Sequence, residues 1–145
     1  MNIALGSDHA GRHLRLRVAQ HLGAKGIHVN DLGVDSDEPV DYPIFARKVC
    51  KSLQKKEAEF GVLVCGSGQG MAISANKQQG IRAALCMSEN QAKLAREHNA
   101  ANVLCLGERI LEPDLALKIV DMFLASEFVG GRHAKRVALI ENEES

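Results

Sequence analysis

A thiol and three glycines stand together at the end of one apolar run of this 145-residue chain. Cys65, Gly66, Gly68 and Gly70 follow the strand-like residues 60–64. Glycines let a ligand approach the backbone closely, and the free amides at the start of a helix favour negative charge, including the thiolate form of a nearby cysteine. The segment therefore predicts an anion site with Cys65 as a candidate acid or base.

The composition indicates one domain that acts on a small polar ligand. A chain of 145 residues can form a single core, so we expect one domain spanning residues 1–145. Its 18 basic and 18 acidic side chains cancel, which argues against the broad positive potential of proteins that bind nucleic acids or anionic membranes. One tyrosine and no tryptophan leave little surface for base stacking.

The cysteines are Cys50, Cys65, Cys86 and Cys105, with no Cys-x-x-Cys pair. Neither a zinc ribbon nor a redox dithiol is therefore predicted, and we expect reduced thiols. The N-terminus has no basic lead before an apolar stretch, and no run reaches the roughly 20 apolar residues that a membrane-spanning helix needs. These features predict a cytoplasmic protein.

Short apolar runs alternate with longer segments of helical period, which is typical of a parallel sheet covered by helices. We predict an α/β protein, a three-layer αβα Rossmann-like domain with a five-stranded parallel sheet. The predicted strands are residues 2–5, 27–31, 61–64, 81–85 and 102–106. Ligands of such sheets bind beyond the carboxyl ends of the strands, which is where Asp8, His9 and Cys65 stand.

Apolar side chains at helical spacing predict the helices that cover the sheet. The three apolar stripes are Leu14, Val18 and Leu22; Ile44, Val49 and Leu53; and Leu115, Ile119, Met122 and Phe123. Pro43 and Pro113 are placed like first-turn prolines. A further helix is predicted over residues 132–140, and residues 141–145 are expected to fray.

Seven segments, read together and in order, resemble ribose-5-phosphate isomerase type B. They are residues 6–11, 41–43, 65–70, 76–77, 80–83, 98–99 and 130–136. The similarity runs from residue 2 to about residue 140, and the related galactose-6-phosphate isomerase subunits share parts of it. The resemblance implies interconversion of ribose 5-phosphate and ribulose 5-phosphate in the pentose phosphate pathway, through an enediolate and without a metal or cofactor.

The resemblance also implies catalytic roles. Cys65 would be the base, and the loop that holds the enediolate oxygen would be Gly66, Ser67, Gly68, Gln69 and Gly70. One branch of the family has glycine in place of the cysteine and a glutamate after the last glycine; Met71 stands at that second position here, and a thioether cannot accept a proton. His98 would open the furanose ring. Ser67 would pass protons between the sugar oxygens, or it is a helix cap.

The remaining family positions would bind the substrate. Arg132 and Arg136 are four residues apart, so on a helix they would share a face and clamp a phosphate, with help from His9 and Arg109. The positions implied to contact the sugar are Asp8, Tyr42 and Asn99. Taken singly, each of these side chains also fits an ordinary role, such as a solvated surface cation, a turn acid or the polar end of a helix.

In this family the site is usually assembled at a dimer interface, so we expect a homodimer or a dimer of dimers with a shared site. The expected ligand is a phosphorylated sugar, with no nucleic acid and no membrane. Two alternatives stay open: an isomerase of a six-carbon aldose 6-phosphate such as allose or galactose 6-phosphate, and a non-catalytic sugar-phosphate-binding module. The glycine spacing does not match a dinucleotide loop, and the chain contains no P-loop.

Overall fold

The computed structural model describes residues 1–142 and confirms the predicted three-layer α/β fold. Its five strands are all parallel and lie in the order β2-β1-β3-β5-β4. Their bounds are β1 (Asn2–Ser7), β2 (His28–Asp31), β3 (Phe60–Cys65), β4 (Ala83–Leu85) and β5 (Val103–Gly107). After β2 the chain crosses to the other side of β1, because β3 pairs with β1 on the edge that β2 leaves open.

Helices cover both faces of this sheet. They are α1 (Arg12–Ala24), α2 (Tyr42–Gln54), α3 (Gln69–Asn76), α4 (Glu89–Asn99), α5 (Pro113–Ala125) and α6 (Arg132–Glu141), and a short 3₁₀ turn (His9–Gly11) precedes α1. Successive strand residues point to opposite faces. Ile3 and Leu5 accordingly pack with α1, α4 and α5, whereas Ala4 packs with α2 and α3. The result is two aliphatic cores, one on each side of the sheet.

Two residues of the predicted apolar stripes face solvent instead. Ile44 is 45% exposed and Leu115 is 37% exposed. In α2 the buried stripe runs through Ala46, Val49 and Cys50, on the opposite side of the helix from Ile44. The small alanine, which carries little weight in a hydrophobic pattern, forms part of the buried face.

The fourth strand begins two residues later than predicted. The amide of Ile81 donates to the carbonyl of Gln78 (3.2 Å), and the amide of Arg82 donates to Oδ1 of Asn102 (2.8 Å). Both groups therefore bond outside the strand ladder, and β4 starts only at Ala83.

The last helix lies where the sequence predicts it, but it packs loosely on the chain. None of its residues is buried. Its final residue, Glu141, forms an ion pair with Arg82. Fraying was predicted for residues 141–145, but Glu141 lies in α6, and residues 143–145 lie outside the described residues.

None of the helices within residues 1–142 is long and apolar enough to cross a membrane. All four cysteines are free and buried, as expected for reduced thiols.

Replacing Lys56 by glycine should stabilise the fold. Lys56 follows α2 with φ at 61°, the left-handed region, and the amides of Lys56 and Glu57 close the helix by bonding back to Leu53 and Ser52. Glycine removes the steric cost of that backbone shape, so we expect a gain of about 1 kcal/mol in the free energy of unfolding. Urea unfolding at fixed protein concentration measures it.

The matched control is Lys55→Gly, one residue earlier, where φ is −84°. There glycine only adds backbone freedom to the unfolded chain, so the protein should lose stability. Equal effects of the two substitutions would contradict this explanation.

Candidate active site

The carboxyl ends of β1 and β3 meet where the strand order changes direction. Ser7 and Val64 are paired across these strands. Asp8 and Cys65 therefore follow neighbouring positions on the same edge of the sheet. Open parallel sheets bind their ligands in the crevice that forms at such a point.

A cleft of ≈ 360 Å³ opens at this edge. Its lining residues are Asp8, His9, Ala10, Tyr42, Cys65, Gly66, Ser67, Gly70 and Arg109. All of these except Ala10 are residues that the sequence predicts for the site. A larger groove of ≈ 630 Å³ lies near the C-terminal ends of α3 and α6, but its lining contains no cysteine or histidine. Of these two, the smaller cleft is the one that combines a carboxylate, a thiol and an imidazole with a guanidinium.

Close backbone packing requires glycine at two positions beside the cleft. Gly68, the N-cap of α3, has φ at +80°, in the left-handed region, and a Cβ there would lie 3.0 Å from the backbone carbonyl carbon of Leu106. A Cβ on Gly107, at the end of β5, would lie 2.7 Å from the carbonyl carbon of Ser67. The loops after β3 and β5 are thus in direct backbone contact, which fixes the shape of the loop around Ser67.

Hydrogen bonds and a cation hold the loop after β3 in place. The amide of Glu108 donates to the carbonyl of Cys65 (2.9 Å), and the amide of Arg109 donates to that of Gly66 (3.0 Å). The Arg109 guanidinium also lies beside Gly66, where a Cβ would be 3.1 Å from Nη1. The first amides of α3 lack acceptors within the helix. Helix start and guanidinium together make this end of the cleft favourable for an anion.

Cys65 is the one cysteine in the lining of this cleft. Burial raises the pKa of Cys50 and of Cys86 to about 11, and it raises the pKa of Cys105 well above its usual value. Those three thiols therefore stay protonated at neutral pH. Met71 is fully buried, so it offers no group to the cleft.

Asp8 and His9 enter the cleft directly after β1. Oδ1 of Asp8 accepts a hydrogen bond from the amide of Gly11 (3.1 Å), so this oxygen caps the 3₁₀ turn. Nδ1 of His9 lies 3.1 Å from the amide nitrogen of Val40 and accepts its hydrogen bond. The neutral His9 ring consequently carries its hydrogen on Nε2. His9 can then offer an N–H donor from Nε2.

Tyr42 forms the opposite wall from the first turn of α2. Its ring lies against Gly70, where a Cβ would be 2.6 Å from both Cε1 and Cζ. The side chain keeps 39% of its surface exposed. Of the other loop residues, Gln69 is exposed and does not line the cleft.

The four remaining predicted residues lie away from this cleft. His98 and Asn99 end α4, while Arg132 and Arg136 are exposed on α6. The His98 ring stacks on His133, with ring centroids 4.2 Å apart and planes 7° apart. Desolvation, followed by the neighbouring His98, Arg132 and Arg136, lowers the pKa of His133. One chain thus presents two separate groups of predicted site residues.

Sequence reasoning missed several residues that support these groups. Val40 binds the ring of His9, and Oε1 of Glu108 accepts a hydrogen bond from the amide of Leu14 (2.6 Å), which ties α1 to the loop after β5. His133 stacks on His98. Of the residues that support the site, Gly107 is the one that the sequence could have indicated, because a glycine at the end of a predicted strand indicates close approach of the backbone.

Comparison with known proteins gives one consistent result. A family model described as ribose/galactose isomerase matches residues 3–140. The chain is 43% identical over 138 residues to ribose-5-phosphate isomerase B of Escherichia coli, covering 95% of this chain and 93% of that protein. It also resembles two solved structures of ribose-5-phosphate isomerase B. The Thermotoga maritima structure is 50% identical with a TM-score of 0.95 and 97% of both chains covered. The Clostridium thermocellum structure is 48% identical with a TM-score of 0.98, covering 99% of this chain and 97% of that one.

Thiol labelling of the folded protein at pH 7.5 should modify Cys65 first. Thiols of pKa about 11, such as Cys50 and Cys86, have a thiolate fraction on the order of 10⁻³ or less at this pH. They are also at most 1% exposed, against 5% for Cys65, which lines the cleft. Brief treatment with iodoacetamide followed by peptide mass spectrometry reads out each site. Equal labelling of Cys65 and Cys50 in the folded protein would contradict the assignment, and urea-unfolded protein labelled at all four sites is the control.

Proposed function

The chain belongs to the ribose/galactose isomerase family, and on this basis we propose that it interconverts ribose 5-phosphate and ribulose 5-phosphate in the pentose phosphate pathway. The observation that carries the proposal is the cleft at the ends of β1 and β3, which sets one thiol beside a guanidinium and a helix start. The relatives named ribose-5-phosphate isomerase B support the choice of substrate. The proposed reaction needs neither a metal nor a cofactor.

In the proposed chemistry Cys65 is the base. Its thiolate takes the proton from C2 of the open-chain aldose, the C–H electron pair forms the C1–C2 double bond, and the negative charge moves to the carbonyl oxygen. Returning the proton to C1 gives the ketose. The charged oxygen would be held by backbone amides of residues 66–70, a role in which one donor is typically worth about 10² to 10³ in rate. Ser67 would carry a proton between the two sugar oxygens.

The other residues would bind the substrate and open its ring. His98 would act as acid and base on the furanose ring, with Asn99 on a sugar oxygen. Arg132 and Arg136 would clamp the phosphate from one face of α6. On the cleft side, His9 and Arg109 would add contacts to the phosphate, and Asp8 and Tyr42 would contact the sugar.

A second copy of the chain would complete each site. The cleft of one chain lacks the group on α4 and α6, and α6 buries no side chain of its own. On α6, Leu139 is 47% exposed and Ile140 is 58% exposed, and on α3 Ile73 is 63% exposed. Apolar surface of this kind favours association. We therefore infer a homodimer in which one subunit supplies the cleft and its partner supplies the predicted site residues of α4 and α6, which are His98, Asn99, Arg132 and Arg136.

The proposal also includes location and domain organisation. We treat residues 1–145 as one domain, with no nucleic acid or membrane partner. The cysteines fit a reducing compartment, since all four are free, and a phosphorylated sugar is a metabolite of the cytoplasm. We therefore place the enzyme there.

Cys65→Ala should nearly abolish turnover and leave substrate binding close to that of the wild type. Loss of a general base costs about 10² to 10⁴ in rate, whereas the phosphate contacts remain. Steady-state kinetics and calorimetric titration with ribose 5-phosphate measure the two effects. Cys50→Ala, which removes a buried thiol of α2 outside the cleft, is the matched control. Turnover within a few fold of wild type in Cys65→Ala would contradict the assignment.

Allose 6-phosphate and galactose 6-phosphate distinguish the alternative functions in the same assay. Ribose 5-phosphate should give the highest kcat/KM of the three. A higher value with either hexose phosphate would favour the six-carbon isomerase. Binding of all three without turnover of any would leave a sugar-phosphate-binding module.

Mixing two inactive variants tests the shared site. Cys65→Ala and the double variant Arg132→Ala, Arg136→Ala should each be nearly inactive at low substrate. When they are unfolded and refolded together in equal amounts, half of the dimers are mixed, and each mixed dimer has one intact site. We therefore expect about a quarter of the wild-type activity. No recovery, with mixed dimers verified by native mass spectrometry, would show that each site is built from one chain.

A further inference from the structure

Arg15 on α1 is the only buried lysine or arginine within residues 1–142, with 1% of its surface exposed. Its Nη1 donates hydrogen bonds to Oγ of Ser7 and to the carbonyl of Val34, both at 2.7 Å. Its Nε lies 3.0 Å from Oδ1 of Asp31. A buried guanidinium is tolerated only with such partners, so these groups are held firmly to one another.

These partners lie at the ends of two neighbouring strands and in the segment that follows the second of them. Ser7 ends β1 directly before Asp8, and Asp31 ends β2. Val34 lies in the segment of residues 32–41 that leads from β2 to α2, here called the β2–α2 loop. Arg15 therefore joins the end of β1 to the β2–α2 loop.

The β2–α2 loop packs directly on the guanidinium. A Cβ on Gly33 would overlap Nη1 and Cζ of Arg15, so the loop can approach this closely only because residue 33 is glycine. The other side-chain tethers from α1 both reach Asp37, from Arg12 at 3.3 Å and from Nε2 of His13 at 3.7 Å, and the Asp37 side chain is 68% exposed. Exposed pairs contribute little. Leu32, at the start of the loop, is held by its amide, which donates to the carbonyl of Leu5 (2.8 Å). Beyond it, the buried side-chain contact from α1 to the loop is that of Arg15.

The far end of the same loop holds His9. The amide of Val40 donates to Nδ1 of His9 (3.1 Å), which leaves the hydrogen of the neutral ring on Nε2. Movement of the loop would withdraw this amide and allow the ring to take either tautomer.

We propose that Arg15 is a positioning residue for the isomerase: by holding the β2–α2 loop against β1, it keeps the Val40 amide on His9, so that His9 offers its Nε2–H to the phosphate of the sugar. This inference rests on the proposed function for the identity of the ligand. The contact of Arg15 with the loop and the state of the His9 ring are separate from it and can be measured without substrate.

Arg15→Met tests the proposal, since methionine fills the buried space without the hydrogen bonds. Nitrogen-15 spectra of labelled histidine should show His9 with its hydrogen on Nε2 in the wild type and a mixture of tautomers in Arg15→Met. The KM for ribose 5-phosphate should rise about tenfold, with kcat changed less than about threefold, because the affected contact binds the remote phosphate. Arg15→Lys, which can restore one bond of several, should give an intermediate KM. Arg17→Met, on the same helix but 49% exposed, is the control and should match the wild type.

Gly33→Ala gives a second test that leaves Arg15 in place. The added methyl displaces the guanidinium from the loop, so it should change the His9 tautomer and KM in the same direction as Arg15→Met. This variant decides the question if Arg15→Met does not fold.

Wild-type His9 spectra and wild-type KM in folded Gly33→Ala would overturn the proposal. A lower kcat with unchanged KM in Arg15→Met and Gly33→Ala would also overturn it, since that result indicates general damage to the structure. If the wild-type protein turns over no sugar phosphate, the proposed function fails, and the tautomer measurement still decides whether Arg15 sets the His9 ring.

Discussion

The parallel pairing of β1 with β3 is the constraint on which the candidate site depends. Because β2 occupies the other edge of β1, the strand order changes direction here and leaves a crevice between the loops that follow the two strands. The pairing of Ser7 with Val64 fixes the register, so Asp8 and Cys65 leave the sheet at matched heights. A slip of one residue would turn every side chain of the strand to the opposite face and remove Cys65 from the cleft.

A guanidinium and the start of a helix favour anions in this crevice, although the formal net charge of the whole chain is zero. The glycine loop brings backbone amides to the start of α3, and Arg109 lies beside Gly66. The cost of this arrangement is backbone packing that tolerates no side chain at Gly68 or Gly107. On the β2 side of β1, the buried Arg15 donates hydrogen bonds to Ser7 and to the β2–α2 loop. The site is therefore shaped by backbone approach and buried polar contacts more than by large side chains, in keeping with a chain that is 3% aromatic.

Local signals predicted the parallel sheet and the part of the cleft that follows β1 and β3, whereas Tyr42 and Arg109 were implied only by the family resemblance. Short aliphatic runs identify the strands, and a glycine loop after a strand identifies an anion site. The predicted site residues fall into two groups, one in the cleft and one on α4 and α6. This separation could not be predicted from the residues alone, since the direction in which α4 and α6 present His98 and Arg136 depends on tertiary packing. The contact of Val40 with His9 joins residues 31 positions apart and has no local signature. The outward face of Ile44 was missed because Ala46, a weakly hydrophobic residue, belongs to the buried stripe.

Proton exchange with solvent during turnover tests the central claim most directly. Ribose 5-phosphate is followed by proton NMR in deuterated buffer containing a metal chelator. An enediolate formed by a thiol base predicts ribulose 5-phosphate with deuterium at C1 and deuterium at C2 of the remaining aldose. Ribulose 5-phosphate formed without deuterium, or formed only after a divalent metal is added, would contradict the account, because either result points to hydride transfer or metal catalysis instead of proton transfer through Cys65.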